Sequence, residues 1–336
     1  MKEPLISICI PTYNGEKYLR DCLLSVVSQT FRNIEIIIVD DCSSDGTITI
    51  AEQFMKEDNR IILSRNVKNL GLVGNWNRSL ELAKGEWIKF VFQDDLITSN
   101  CIQKMFEASE GKYLVVSDRK FIYDEFVPTE IREHYSTNML TLKKLVRTTT
   151  PTLVTSERVS HFATDHISLN FIGEPTAVLF KKNIIEKVGV FNTDLSQICD
   201  LEYWLRIATS EGMVYIPEDL ISFRIHSSST TSQNVISGTK FKPRYIDVII
   251  LAHEMLYSQH YEHFRACISF SHKQKLKLFI ISKMYEAKKA FETNDNVDPD
   301  LFDKLFANYP ALKEYYHPSV LAKMIFNLTL LKRKLK

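Results

Sequence analysis

Gly85-Glu86-Trp87-Ile88-Lys89-Phe90-Val91-Phe92-Gln93-Asp94-Asp95 is the stretch on which the fold turns. Trp87 to Phe92 is a short run rich in β-branched and aromatic side chains, the composition of a buried strand. Two carboxylates stand where it ends. Open α/β sheets bind ligands outside the carboxyl ends of their strands, so Asp94 and Asp95 are expected to project into a crevice. Adjacent like charges there favour a bound cation. A polar turn after a strand accounts for the pair equally well, since Asp is common in turns. The residues upstream decide between the two.

Leu5 to Ile10 is an apolar strand closed by Pro11-Thr12-Tyr13-Asn14-Gly15, with Asn14 placed to cap the helix that follows. Leu19, Leu23 and Val26 give that helix one buried face. Ile34 to Val39 is almost continuously aliphatic, as a strand covered on both faces should be, and ends at Asp40-Asp41. Ser44, Asp45 and Thr47 compete to cap a helix carrying Ile50, Ala51, Phe54 and Met55. Ile61 to Leu63 is a third strand. A polar loop through Asn66, Asn69 and Gly71 leads to a helix with Trp76, Leu80 and Ala83 on one face. Four β-then-α units in a row predict a parallel sheet. Their polar ends, Thr12 to Asn14, Asp40 and Asp41, Asn66, then Asp94 and Asp95, converge on one edge as a binding site.

The 336 residues suggest one α/β catalytic domain with an appendage. Apolar content of 45% and charged content of 25% are those of an ordinary globular protein, and a net charge of +1 gives no argument for a nucleic-acid partner. Six cysteines without a C-x-x-C pair, no charged-then-apolar leader and no apolar run of membrane-spanning length predict a cytoplasmic protein with reduced thiols. Residues 11–15 lack the glycine pattern of a dinucleotide fold, and no G-x-x-x-x-G-K-[ST] phosphate loop occurs. With no glycine cradle, a metal held by carboxylates is the natural substitute. Asp41 is placed to accept the imide N–H of a pyrimidine, and Tyr13 offers a flat face to the base.

Ile-Cys-Ile-Pro-Thr-Tyr-Asn-Gly (8–15), Leu-x-Ser-Val-x-x-Gln-Thr (23–30), Glu-Ile-Ile-Ile-Val-Asp-Asp-x-Ser-x-Asp-Gly-Thr (35–47), Asn-x-Gly-Leu (69–72) and Gln-Asp-Asp (93–95) together resemble family 2 glycosyltransferases of the GT-A fold. The resemblance covers roughly residues 4–100. It implies a nucleotide-sugar donor, usually UDP-linked, a divalent metal and inversion at the anomeric carbon. Carried over by position, Pro11, Thr12, Tyr13 and Asp41 would contact the base, with Asn14 and Asn69 also counted in the nucleotide site. Asp94 would sit near the ribose and Asp95 would bind the metal, Mn2+ or Mg2+ being suited to hard oxygen ligands. Many members carry Asp-x-Asp there; Gln93-Asp94-Asp95 leaves one metal carboxylate.

Beyond residue 110 the pattern is harder. Tyr113 to Val116 reads as a strand ending at Ser117-Asp118, and Lys143, Lys144 and Arg147 read as a solvated helix face. Gly173-Glu174-Pro175-Thr176 before the strand Ala177 to Phe180 resembles a family loop near the donor sugar and acceptor, which makes Glu174 a site candidate; a capped turn is the plainer alternative. Asp200-Leu201-Glu202-Tyr203-Trp204-Leu205-Arg206 opens a helix in which Asp200 is either a simple N-cap or, by its spacing to Trp204-Leu205-Arg206, the catalytic base of the resemblance. Cys199 stands where many members carry a first acid, and Glu202 is the fallback on the donor or acceptor side. Arg224-Ile225-His226 and the Ser/Thr-rich loop from Ser227 also resemble the family, with His226 a candidate for the metal or diphosphate.

The expected division is 1–110 for the nucleotide sugar, 111–235 for the acceptor within the same GT-A domain, and 236–336 for a helical region. Ser319 to Lys336 contains no acid and mixes Leu, Met and Ile with Lys and Arg. That is a basic amphipathic helix suited to an anionic membrane surface, or one packed on the catalytic domain. A lipid-linked or saccharide acceptor in surface polysaccharide synthesis fits the first reading. Rival readings are a nucleotidyltransferase making a nucleotide sugar, disfavoured because residues 11–20 lack a glycine- and lysine-rich loop, and a non-catalytic nucleotide-binding module.

Overall fold

The computed structural model describes residues 5–125, 127–227, 229, 242–292 and 298–316. The basic tail 319–336 and most of the serine- and threonine-rich loop after His226 lie outside the described residues. Nine strands form one sheet: β1 (Ile6–Thr12), β2 (Ile34–Asp40), β3 (Ile61–Arg65), β4 (Trp87–Phe90), β5 (Leu96–Ile97), β6 (Leu114–Tyr123), β7 (Thr152–Val154), β8 (Val178–Lys181) and β9 (Met213–Ile225). Their order is β3-β2-β1-β4-β8-β6-β9-β5, with β7 on β9. The first four run parallel; β1, β2 and β3 end level at Thr12, Asp40 and Arg65, and β4 ends at Phe90 opposite Cys9, so their carboxyl ends share one edge. Helices α1 (Leu19–Val27), α2 (Thr47–Glu57) and α3 (Gly71–Leu82) make the crossovers expected from the periodicity.

Alternation sorts the strands' side chains into two cores. Ile6, Ile8, Ile10, Ile36 and Ile38 meet α1, α2 and helix α4 (Cys101–Ala108) on one face. Cys9, Ile37, Val39, Ile88 and Phe90 meet Trp76 and Leu80 of α3 on the other. Gly85 lets β4 start against β1: a Cβ there would lie 2.6 Å from the backbone nitrogen of Ser7. Its own N–H donates to Ser7 Oγ at 2.7 Å.

The second half departs from a parallel design. β8 is antiparallel to both β4 and β6, while β6 and β9 run parallel to each other. β6 continues seven residues beyond Val116, so Ser117 and Asp118 lie inside a strand and are not its end. Helices α5 (Thr129–Glu133), α6 (Leu142–Val146), α7 (Ser156–Asp165), α8 (Ile185–Val188) and α9 (Cys199–Glu211) follow in this half. The helical region adds α10 (Val248–Tyr257), α11 (Glu262–Cys267) and α12 (Phe270–Phe291), whose Leu251, Met255, Leu276 and Ile280 join the core of α3 and α9. No disulfide forms. Among the described residues no helix is long and apolar enough to cross a membrane.

Candidate active site

The ends of β1 and β2 carry loops that hydrogen-bond one another. Asn14 does not cap α1, which begins only at Leu19; it sits in the left-handed region at φ 47° and reaches across to accept from Ser44 N at 2.9 Å. Its own N–H donates to Ser43 Oγ at 2.9 Å. Pro11 and Thr12 are buried at the end of β1, while Tyr13 is 51% exposed and keeps a free ring face. Asp41 is turned inward. Its carboxylate accepts from Leu70 N (2.7 Å), Gly71 N (2.9 Å) and Asn66 Nδ2 (2.9 Å), so it holds the start of α3 against β2. Asn69 supports the same turn by donating to the Asp41 carbonyl at 3.1 Å. These three bonds leave one lone-pair position of the Asp41 carboxylate unused.

The two carboxylates after β4 have different fates. Asp95 is wholly buried, and both its oxygens are engaged: Thr176 Oγ1 donates at 2.6 Å and Arg224 N at 3.0 Å. Burial, and then the neighbouring Asp94 charge, push its carboxyl well above the usual range. Asp94 is the one facing the crevice, its side chain 21% exposed and its Oδ2 2.9 Å from Nε2 of His226. Arg224 Nε donates to the Asp94 carbonyl at 2.9 Å, and Tyr18 stacks near the His226 ring at 4.6 Å between centroids. Asp124 gathers Lys17 at 2.6 Å and Tyr18 beside this group. Among the described residues no cluster of three or more His, Cys, Asp or Glu side chains has the arrangement to hold a metal. The groups here that could hold a divalent ion are the Asp94 carboxylate and the His226 imidazole, which hydrogen-bond each other.

Asp200 belongs to the second half of the chain. It is the second residue of α9 and not its cap, which is Ile198; Asp247 holds the loop before the helix, accepting from Ser196 N at 3.0 Å and Gln197 N at 2.7 Å. Asp200 accepts from Leu201 N at 2.7 Å and from Asn170 Nδ2 at 2.9 Å. Burial lifts its carboxyl to about 7, and the nearby Glu174 charge adds to the rise. Glu174 acts in the same way on Asp95, so its charge is near both carboxyls. It pairs with Arg119 at 2.5 Å, in an alignment outside that of a hydrogen bond, and Arg119 Nη2 has no hydrogen-bond partner among the described residues.

Glu202 does not join this group. Two positions on from Asp200 it points into the protein, 1% exposed, paired with Arg206 Nη2 at 2.8 Å, and its carbonyl accepts from Tyr261 at 2.9 Å. A helix turns about 200° over two residues, so one of the two acids had to face away. Arg119, Asn170, Thr176 and Gln93 had no sequence reading as site residues. Thr176 and Arg224 lay in stretches already singled out, Gly-Glu-Pro-Thr and Arg-x-His, but Arg119 sits mid-strand where no local signal marks it.

The model of glycosyl transferase family 2 matches residues 7–170, which carry every strand end from Thr12 to Asp95. An uncharacterized protein of Mycobacterium tuberculosis is 33% identical over 238 residues, 70% of this chain and 71% of that one. The chain belongs to glycosyl transferase family 2. Glycosyltransferase GlyG of Streptococcus pneumoniae is 38% identical to this family 2 chain over 122 residues, 36% of this chain and 40% of that one. The putative teichuronic acid biosynthesis glycosyltransferase TuaG of Bacillus subtilis is 38% identical over 105 residues, 31% of this chain and 42% of that one. The chain thus spans less than half the length of each of these two. Among solved structures, S. aureus TarS 1–349 in complex with UDP-GlcNAc superposes with a TM-score of 0.57 at 18% identity, over 93% of this chain and 81% of that one. Mannosyltransferase PcManGT from Pyrobaculum calidifontis, with GDP-Man and Mn2+, gives 0.55 at 14%, over 97% and 84%. The fold is GT-A, as the resemblance implied.

Proposed function

We propose that this glycosyltransferase takes a sugar from a UDP-sugar and places it, with inversion, on a hydroxyl of a saccharide or lipid-linked acceptor in surface polysaccharide or glycan synthesis. One observation carries the reading: the Glu174 charge acts both on Asp95, next to the Asp94–His226 pair, and on Asp200, whose buried carboxyl is raised to about 7. The UDP-GlcNAc bound by TarS and the teichuronic acid context of TuaG favour the donor and the product class.

Residues 5–110 would hold the nucleotide, with Tyr13 stacking on the base and Asp41 and Asn69 shaping its edge. Residues 111–235 would hold the acceptor. A divalent cation, Mn2+ or Mg2+, would be held by Asp94 and His226; when bound it offsets the charge on the leaving diphosphate. Asp95, expected from the motif to carry the metal, is better suited to bracing the loop, since both its oxygens are committed to Thr176 and Arg224. Asp94 takes its place.

An acceptor hydroxyl has a pKa far above neutral, so its proton must leave as the bond to the anomeric carbon forms. Asp200 accepts that proton while the anomeric carbon–oxygen bond to the diphosphate breaks and UDP departs with the electron pair. Its carboxyl, poised at about 7, is matched to that task at physiological pH. Glu174 and Arg119 would line the sugar between donor and acceptor. The test is a panel of UDP-, GDP- and dTDP-sugars with Mn2+, read by thermal protection and slow release of free nucleotide. Protection and release with a UDP-sugar support the reading; protection by UDP without release under any acceptor would favour a binding module.

A further inference from the structure

We propose that Gln93 is a positioning residue that ties the stacking face of Tyr13 to the carboxylate of Asp94, so that the base and the diphosphate of one nucleotide are gripped as a unit. The inference rests on the nucleotide-sugar reading of the crevice. Gln93 directly precedes Asp94, yet its side chain turns the other way, back to the end of β1. Its Oε1 accepts from Tyr13 N at 3.0 Å and its Nε2 donates to Tyr13 O at 3.0 Å. The two bonds fix which end of the amide is oxygen, because the reverse orientation would face donor to donor and acceptor to acceptor.

Only a glutamine side chain satisfies this arrangement. A glutamate would lose the donor to the Tyr13 carbonyl and place a third negative charge beside Asp94 and Asp95; an aspartate is one methylene shorter. The opposite side of the Tyr13 loop is already fixed, since Asn14 N donates to Ser43 Oγ at 2.9 Å and Gly15 N to Thr47 Oγ1 at 2.8 Å. Gln93 is the remaining bracket. Gly15 makes room for it: a Cβ at Gly15 would fall 2.2 Å from Gln93 Oε1 and 2.5 Å from its Cδ. Gly15 has no positive φ, so an alanine there is resisted by the amide of Gln93 and not by its own backbone.

The experiment is calorimetric titration of UDP, with Mn2+ present, into the wild-type chain, Gln93→Ala, Gln93→Glu, Gly15→Ala and the double variant Gly15→Ala/Gln93→Ala. Titration of inorganic pyrophosphate with Mn2+ is the control that lacks a base. Gln93→Ala and Gly15→Ala should each weaken UDP about tenfold and leave pyrophosphate within twofold, while Gln93→Glu, which adds a charge beside Asp94, should weaken both. In the double variant, Gly15→Ala should add nothing to the loss from Gln93→Ala, because the group it displaces is gone. Wild-type affinity for UDP in Gln93→Ala, an equal loss for pyrophosphate, or full additivity of the two changes would overturn the proposal. Failure of the wild-type chain to bind UDP would instead overturn the nucleotide-sugar reading beneath it.

Discussion

At the scale of single residues, burial decides what each acid does. Asp200 is held by two hydrogen bonds, from Leu201 N and Asn170, yet its carboxyl rises to about 7 because the surrounding protein disfavours its charge. For catalysis the charged form is required, so turnover should climb as pH passes through about 7 and level off above it. Asp200→Asn should keep donor affinity and lower kcat at least a hundredfold, which single-turnover assays would read. Stability runs the other way: a carboxyl raised from 3.8 favours the fold below that value, and the advantage is lost as pH rises through about 7. Asp200→Asn should therefore gain on the order of 1–3 kcal/mol over wild type at pH 8 and none at pH 4, seen as a shift in thermal midpoint. Asp95→Ala should cost roughly 2–3 kcal/mol, since it strands the Thr176 hydroxyl and the Arg224 N–H in the interior. The carboxylate pair was legible in the sequence. Which member faces out was not, because that is set by residues 81 and 129 positions away.

At the scale of elements, α9 is a bracket between the site and the helical region. Asp200 looks toward the crevice, and Glu202 looks toward α11 through Arg206 and Tyr261. Asp247, just before α10, holds the loop that leads into α9 by accepting from Ser196 N and Gln197 N. Arg206→Met would leave Glu202 buried without its cation and should destabilise the chain by roughly 3–5 kcal/mol, measured by denaturant unfolding; Glu202→Gln should recover part of the loss. The βα units of the first half were readable from period and strand-end chemistry, and β1, β2 and β3 pair in sequence order. The insertion of β8 between β4 and β6, antiparallel to both, had no local sign: Val178 to Phe180 reads the same in either direction. Glu202 was misread for a related reason, as spacing places an acid on a helix without saying which face the next helix covers.

At the scale of the whole molecule, the helical region shares one apolar core with the sheet. Leu251, Met255, Leu276 and Ile280 belong to the cluster that contains Phe90, Trp76 and Trp204. A chain ending at residue 235 would expose that face and should be recovered as aggregate or as a species without a cooperative unfolding transition. Tyr13, Asp41 and Asp94 follow neighbouring strands in a fixed register, which is what the proposed shared grip on nucleotide and cation needs. The most direct test is calorimetric titration of UDP, with and without Mn2+, into wild type, Asp94→Asn and Asp200→Asn. UDP should bind tightly only with Mn2+, lose that gain in Asp94→Asn and keep it in Asp200→Asn. Equal affinity with and without the metal, or an unchanged response in Asp94→Asn, would contradict the assignment of Asp94 to the cation.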